Sequence, residues 1–331
     1  MSRKSFFIIG LFLVIILVLA EIFFRHANKN IKNDGSAPVA KADSVWIAPD
    51  SLLIPNSQAG ELIKYGRALI SNTADFLGPH GKVAAISNGM NCQNCHLDAG
   101  TKPWGNNYGG VYSTYPKYRD RRGAFETVFQ RVNDCFQRSL NGKGLDSNSR
   151  EAQAILAYME WLGTGVAKNK KPYGSGIRQL SPMDRAADTL KGRVAYVQKC
   201  TKCHGINGEG MIRPGTTSFL YPPLWGRNSY NTGAGLYRLS RFAGYVKDNM
   251  PLGSTYKDRQ LTDEEAWDLA AYVNDQPRPK KQFKQDWPVI SSKPFDHPFG
   301  PYADEFSETQ HKFGPFSPIL KAKDKTTRKK T

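Results

Sequence analysis

The sequence predicts a mainly α-helical chain of two tandem domains with long loops, an N-terminal membrane segment and an extended C-terminal tail. Three observations carry that prediction. The pentapeptide Cys-x-x-Cys-His occurs twice, as Cys92-Gln93-Asn94-Cys95-His96 and as Cys200-Thr201-Lys202-Cys203-His204. The residues around each copy recur at nearly constant offsets, and a long apolar run follows Arg3 and Lys4. With 331 residues the chain can build two modest cores.

Each pentapeptide reads as an attachment site for haem c. The two thiols, Cys92 with Cys95 and Cys200 with Cys203, bond the porphyrin vinyls, and His96 or His204 ligates the iron from the proximal side. A zinc site or a redox disulfide is the competing reading, yet neither chemistry needs a histidine directly after the second cysteine in both copies. Two covalently bound haems would supply part of the interior, consistent with 20 prolines, 30 glycines and a mean hydropathy of −0.52.

The N-terminal stretch Phe6 to Ala20 has the form of an export signal, and Ile22, Phe23 and Phe24 extend it toward the ~20 residues that span a bilayer. An uncleaved anchor is favoured over a cleaved signal peptide. The basic residues at the extreme N-terminus keep that end inside and send the rest to the periplasmic side of the cytoplasmic membrane. Residues 1–27 are thus a signal anchor or signal peptide, and 28–50 a polar linker. The first haem domain spans 51–168, opening on a helix near Ala59 to Asn72, with an extended loop from Pro79 to Asn91 before the haem site. A second linker, 169–182, leads to the second haem domain, 183–280. Residues 281–331 form an extended segment that wraps the domains and ends in a basic, solvated, disordered tail.

The two domains read as copies of one plan. Gly66-Arg67 and Gly192-Arg193 precede the sites, Tyr115-Pro116 and Tyr221-Pro222 follow them, and Ala157-Tyr158 and Ala271-Tyr272 lie on the closing helices. This order of helix, attachment site, loop, distal ligand and final helix resembles the class I cytochromes c. A proline carbonyl after each site is expected to fix the proximal imidazole, from Pro116 in the first copy and from Pro222 or Pro223 in the second.

The copies differ at the distal ligand. In the second, Met250 follows a helix from about Leu236 and precedes Pro251, the arrangement of a distal thioether, with Met211 as the runner-up. The first copy has no methionine between His96 and its closing helix; there Cys135 lies 23 positions before Tyr158, as Met250 lies 22 before Tyr272. A lone cysteine is often a buried structural thiol, but in an oxidising compartment ligation of iron by its thiolate gives it a reason. Phe125, Val128, Phe129 and Val132 recur at helical spacing, so Gly123 to Phe136 is expected to be an amphipathic helix. Arg131 and Ser139 would then share the face of Cys135, where the second copy has Val246 in place of Arg131. A cation beside a sulfur ligand points to an anionic substrate, and Arg119, Arg121 and Arg122 could add donors.

On the segments Cys92 to Leu97, Arg131 to Gly142, Ala157 to Leu162 and Asn249-Met250-Pro251, the chain resembles the thiosulfate dehydrogenases, dihaem cytochromes that couple two thiosulfates into tetrathionate. The resemblance implies that Cys135 ligates the active-site haem iron and that Arg131 and Ser139 line the substrate pocket; Arg121 joins them as a candidate catalytic residue on its charge alone. It implies a His96/Cys135 haem for catalysis and a His204/Met250 haem for electron relay. Some members carry a lysine before the distal methionine and exchange ligands; Asn249 makes that exchange unexpected here. Two thiosulfate dianions at ~4 Å repel by roughly 4 kcal/mol even in water, which Arg131 would offset. Cys135 would carry the first thiosulfate as an S-thiosulfonate until the second displaces it, and the reverse would reduce tetrathionate.

The net charge of +17 favours anionic partners. No nucleic-acid-binding signature accompanies it. The implied partners are thiosulfate, tetrathionate, the membrane through the N-terminal segment, and an external electron acceptor such as a small cytochrome c or a membrane-bound oxidase. Two other readings compete: a non-catalytic dihaem electron carrier, which needs no reactive cysteine, and a haem subunit of a multi-protein sulfur-oxidising complex. A dihaem peroxidase fits less well, because sulfur would close the first iron to peroxide.

Overall fold

The computed structural model describes residues 44–328. The expected membrane segment lies outside them, and among the described residues no helix is long and apolar enough to cross a membrane. From Val45 onward the chain forms one compact unit with a continuous apolar core.

Each half is framed by a pair of crossed helices. In the first, α1 (Gln58–Ser71) packs on α3 (Arg150–Leu162), and between them in sequence lies α2 (Val128–Arg138). In the second, α4 (Thr189–Lys199) packs on α6 (Asp263–Asp275), with α5 (Leu239–Asn249) against α6. The repeated glycines explain the crossings. A Cβ on Gly66 would lie 1.9 Å from the Ala154 carbonyl oxygen, and one on Gly192 would lie 2.0 Å from that of Asp268. The added Cβ would also lie 2.8 Å from the Cβ of the repeated tyrosine, Tyr158 or Tyr272. Only a residue without a side chain lets the backbones approach so closely.

Side-chain caps set the helix starts. Ser57 accepts from Gly60 N at α1, Ser149 from Ala152 N at α3, and Thr262 forms a capping box with Glu265 at α6. At α2 the capping box is Thr127 with Gln130, which starts the helix five residues later than the apolar spacing predicts. The residues before it instead form a short hairpin, β1 (Lys117–Arg119) with β2 (Ala124–Glu126), leaving Phe125 exposed. A second small ribbon, β3 (Met211–Ile212) with β4 (Phe219–Tyr221), lies in the other half.

Two expectations for the chain ends are corrected. The predicted tether already packs at Trp46, which is buried against Gly109, where an added Cβ would sit 2.4 Å from the indole; its amide bonds Tyr173 O at 2.8 Å. Among the described residues the C-terminal segment does not stay extended. It forms α7 (Glu308–Phe313) and α8 (Ser317–Arg328), and Ile319, fully buried, joins Phe316, whose ring lies 5.5 Å from that of Trp267. Phe316, Ile319 and Leu320 have helical spacing, a signal concealed by the lysines around them.

The halves are tied by hydrogen bonds. Tyr245 Oη of α5 donates to Asn94 O inside the first pentapeptide at 2.9 Å, and Asn91 Nδ2 donates to Ser218 Oγ at 3.1 Å.

Candidate active site

The first pentapeptide, α2, α3 and the β1 hairpin enclose a cavity of ≈ 300 Å³. Cys92, Cys95, His96, Arg131, Cys135 and Ser139 all line it. The predicted sharing of one helical face by Arg131, Cys135 and Ser139 is therefore met, with Ser139 as the C-cap of α2, its amide bonded to Cys135 O at 2.8 Å. Arg121 is not brought in. Its guanidinium donates to Gly233 O at 3.1 Å and lies 4.0 Å from Asp286, beside the Trp287 ring. Arg122 also stays outside, between Glu126 at 3.6 Å and Asp134 at 3.8 Å.

A second cavity, ≈ 610 Å³, is lined by Cys200, Cys203, His204 and Met250, with Val246 on its wall. Met250 is the C-cap of α5, so the helix end delivers the thioether. Met211 is 43% exposed on β3 and is absent from this lining. Met90 and Cys95 line both cavities.

The residues of both cavities fit an attached haem. His204 Nδ1 pairs with Pro222 O at 2.9 Å, as predicted, which directs Nε2 to serve as a ligand. In the first site the acceptor is not Pro116. His96 Nδ1 meets Asn106 O at 2.6 Å, and Tyr108 stacks on the imidazole with centroids 4.5 Å apart. Asn106 has φ 58°, a left-handed turn that asparagine tolerates, and that turn presents its carbonyl. Burial lowers the His96 pKa to about 4 and also lowers that of His204, which favours the neutral imidazole, the form that can ligate a metal. Burial pushes the thiols of Cys92, Cys95 and Cys200 up to about 12, as apolar surroundings do. All five cysteines are free, and among the described residues no group of three His, Cys, Asp or Glu converges as a metal cage.

The field around Cys135 is positive. Cys135 is the largest influence on the Arg131 guanidinium and raises its pKa, ahead of the opposing effect of burial. Lys117, Arg119, Lys171 and Arg241 line the same cavity, and no carboxylate does. Of these, sequence reasoning identified Arg119 alone. Lys117 and Lys171 come from the hairpin and the linker, and Arg241 from α5 of the other half, so no local pattern announces them.

α2 itself is braced from the C-terminal segment. Arg138, 5% exposed, donates to both carboxylate oxygens of Asp286 and stacks on Phe283 at 3.6 Å.

Comparisons with known proteins agree with this geometry. Residues 82–167 match the family model described as SoxA/TsdA, cytochrome c domain, and residues 190–277 match that for cytochrome c. The thiosulfate dehydrogenase of Allochromatium vinosum is 39% identical over 239 residues, covering 70% of this chain and 83% of that protein. That of Stutzerimonas stutzeri is 35% identical over 238 residues, covering 72% and 74%. Among solved structures, the thiosulfate dehydrogenase (TsdBA) of Marichromatium purpuratum in its as-isolated form superposes with a TM-score of 0.66 at 30% identity. That match covers 76% of this chain and about half, 52%, of the solved one.

Proposed function

The chain belongs to the thiosulfate dehydrogenase family, and from that premise we propose that it joins two thiosulfates into tetrathionate at Cys135, with electrons leaving through the second half. It is a dihaem c-type cytochrome and an oxidoreductase acting on thiosulfate. The single observation that carries the proposed site is the convergence of Cys135, Arg131 and Ser139 on the cavity that also holds Cys92, Cys95 and His96.

When bound, the haems supply one-electron acceptors for the two electrons the coupling releases. His96 and Cys135 would hold the first iron, and His204 and Met250 the second. The protein's own groups do the rest. Arg131 draws a thiosulfate dianion to the thiolate and orients its sulfonate, with Ser139 as a further donor. Cys135 Sγ bonds the outer sulfur of that thiosulfate, a two-electron oxidation that leaves a cysteine S-thiosulfonate. The outer sulfur of a second thiosulfate then attacks the adduct, tetrathionate departs, and the Cys135 thiolate is restored. The shared wall of Met90 and Cys95 supports a direct path between the two cavities.

Val246 fills the position of Arg131 in the second cavity, which suits a relay site with no need to attract an anion. Asn249 Nδ2 is engaged by Trp104 O at 3.1 Å and Tyr245 O at 2.8 Å, in keeping with a Met250 that stays in place. Export to the periplasmic side, anchoring through the N-terminal segment and delivery to a small cytochrome c or membrane-bound oxidase complete the reading.

The test is to assay the purified holoprotein for tetrathionate formation with ferricyanide as acceptor, then repeat with Cys135→Gly. Loss of turnover with both haems attached is the expected result. Unchanged turnover would reject Cys135 as the reactive group and leave an electron carrier.

A further inference from the structure

We infer that Arg241, a residue of the second half, together with Lys171 and Lys117, forms a second anion subsite that holds the sulfonate of the second thiosulfate. The inference rests on the reaction proposed above. It assigns a role to three cations in the cavity beyond those the sequence singled out.

Five cations line the Cys135 cavity: Lys117, Arg119, Arg131, Lys171 and Arg241. Arg119 is partly answered by Glu126 at 3.5 Å, and Arg131 by the Cys135 sulfur and by Asp134 at 3.9 Å. Lys117, Lys171 and Arg241 have no carboxylate within ion-pair distance among the described residues. The nearest acidic influence on Arg241 is Asp296, whose oxygens are already taken by Arg238 Nε at 2.8 Å and by the Ser240 amide at 2.9 Å.

These cations repel one another. Lys171 is disfavoured as a cation by burial and by Arg241, and Lys117 by burial and then by Arg119, Arg131 and Lys171. Such a concentration of unanswered charge is costly unless an anion joins it. A haem brings two propionates, which fewer than five cations can satisfy. The coupling of two thiosulfates needs a place for a second dianion within bonding reach of the first sulfur, and the first is accounted for by Arg131 and Ser139. The surplus cations fit a sulfonate-terminated sulfur dianion, bound through charge-assisted hydrogen bonds.

Arg241 is the discriminating member. Its helix, α5, belongs to the half that carries the second haem site, so the substrate cavity is complete only when the two halves are docked.

The experiment compares holoprotein with Arg241→Gln, Arg241→Lys and Lys171→Gln, each checked for full haem content. Tetrathionate and thiosulfate affinities are measured by titration calorimetry, and the midpoint potential of each haem by redox titration. The expected result is at least about a tenfold loss of tetrathionate affinity in Arg241→Gln, partial recovery in Arg241→Lys, a smaller loss in Lys171→Gln, and little change at the first thiosulfate site. Unchanged tetrathionate affinity in both glutamine variants, with a shifted haem potential, would overturn the inference and make these residues propionate partners. Should Arg241→Gln lose its haem, Lys171→Gln decides, because it lies in a linker loop outside the helices. Wild-type protein that binds neither anion would overturn the tetrathionate reading itself, a result distinct from a subsite that fails alone.

Discussion

Arg138 and Asp286, 148 residues apart in sequence, are joined by two parallel hydrogen bonds of 2.7 and 2.8 Å. The pair fastens the helix that carries Cys135 to the segment after the second haem half, and Trp287 N bonds Arg121 O at 2.7 Å one residue on. Arg121 therefore belongs to the brace. Asp286→Ala strands a guanidinium that is almost fully buried, with Asp134, 3.6 Å away, as its remaining carboxylate. We expect a loss of about 3 kcal/mol, the lower part of the range for breaking a buried pair. Thermal denaturation of the holoprotein measures it; an unchanged midpoint would show that the C-terminal segment does not brace the site.

The crossed helix pairs predict a second outcome. Gly192→Ala places a methyl group 2.0 Å from a backbone oxygen, and Gly66→Ala one at 1.9 Å, so the helices must separate. Each substitution should destabilise the protein by about 1–3 kcal/mol or more. The control is Gly235→Ala, where nothing lies within 4 Å of the added carbon. Denaturation midpoints that fall equally in all three would contradict the packing argument.

Much of this arrangement was legible because it is written locally. The pentapeptides, the glycine and tyrosine repeats and the Cys135 and Met250 slots are all short-range patterns, and the structure puts each in its half as the repeat requires. What was not legible depends on distant backbone. The acceptor for His96 is Asn106 O, set by a left-handed turn, where a proline was expected. Residues 123–126 went to a hairpin because the Thr127–Gln130 capping box starts α2 more decisively than apolar spacing does. Arg241 reaches the first cavity from the other half, and no periodicity reports that. The helix at 317–328 carries an apolar stripe too short to stand out among lysines.

Alkaline pH should weaken substrate capture. Lys117 and Lys171 have pKa values lowered first by burial and then by neighbouring cations, so they lose charge at a lower pH than an ordinary lysine. Thiosulfate remains a dianion across this range, and binding it favours the charged lysines, so affinity is full at neutral pH and falls as pH rises through their lowered pKa values. The fall should appear in kcat/KM at a lower pH than that at which an ordinary lysine loses its charge, with kcat less affected. Lys171→Gln should lower kcat/KM at neutral pH and flatten the alkaline limb. A limb of undiminished slope in that variant would remove Lys171 from the account.

Asp248 predicts how the second site is held. It is fully buried two residues before Met250, and each carboxylate oxygen meets an arginine at 2.6 Å: Oδ2 takes Arg178 Nε, and Oδ1 takes Arg259 Nε. Arg178 in turn lies over the Trp104 ring at 4.4 Å, so the triad links α5, the linker and the first half. Asp248→Ala leaves two partly buried arginines without their shared anion and should cost about 3–5 kcal/mol. Because Met250 is the C-cap of α5, the same variant should weaken the thioether ligation proposed for it, read as loss of a methionine–iron absorption in the ferric protein and a lower potential for that haem. Arg259→Gln removes one partner, 35% exposed, and should cost only about 1 kcal/mol, leaving the absorption intact. If Asp248→Ala lowered stability while ligation stayed unchanged, the triad would be a clamp between elements with no hold on Met250.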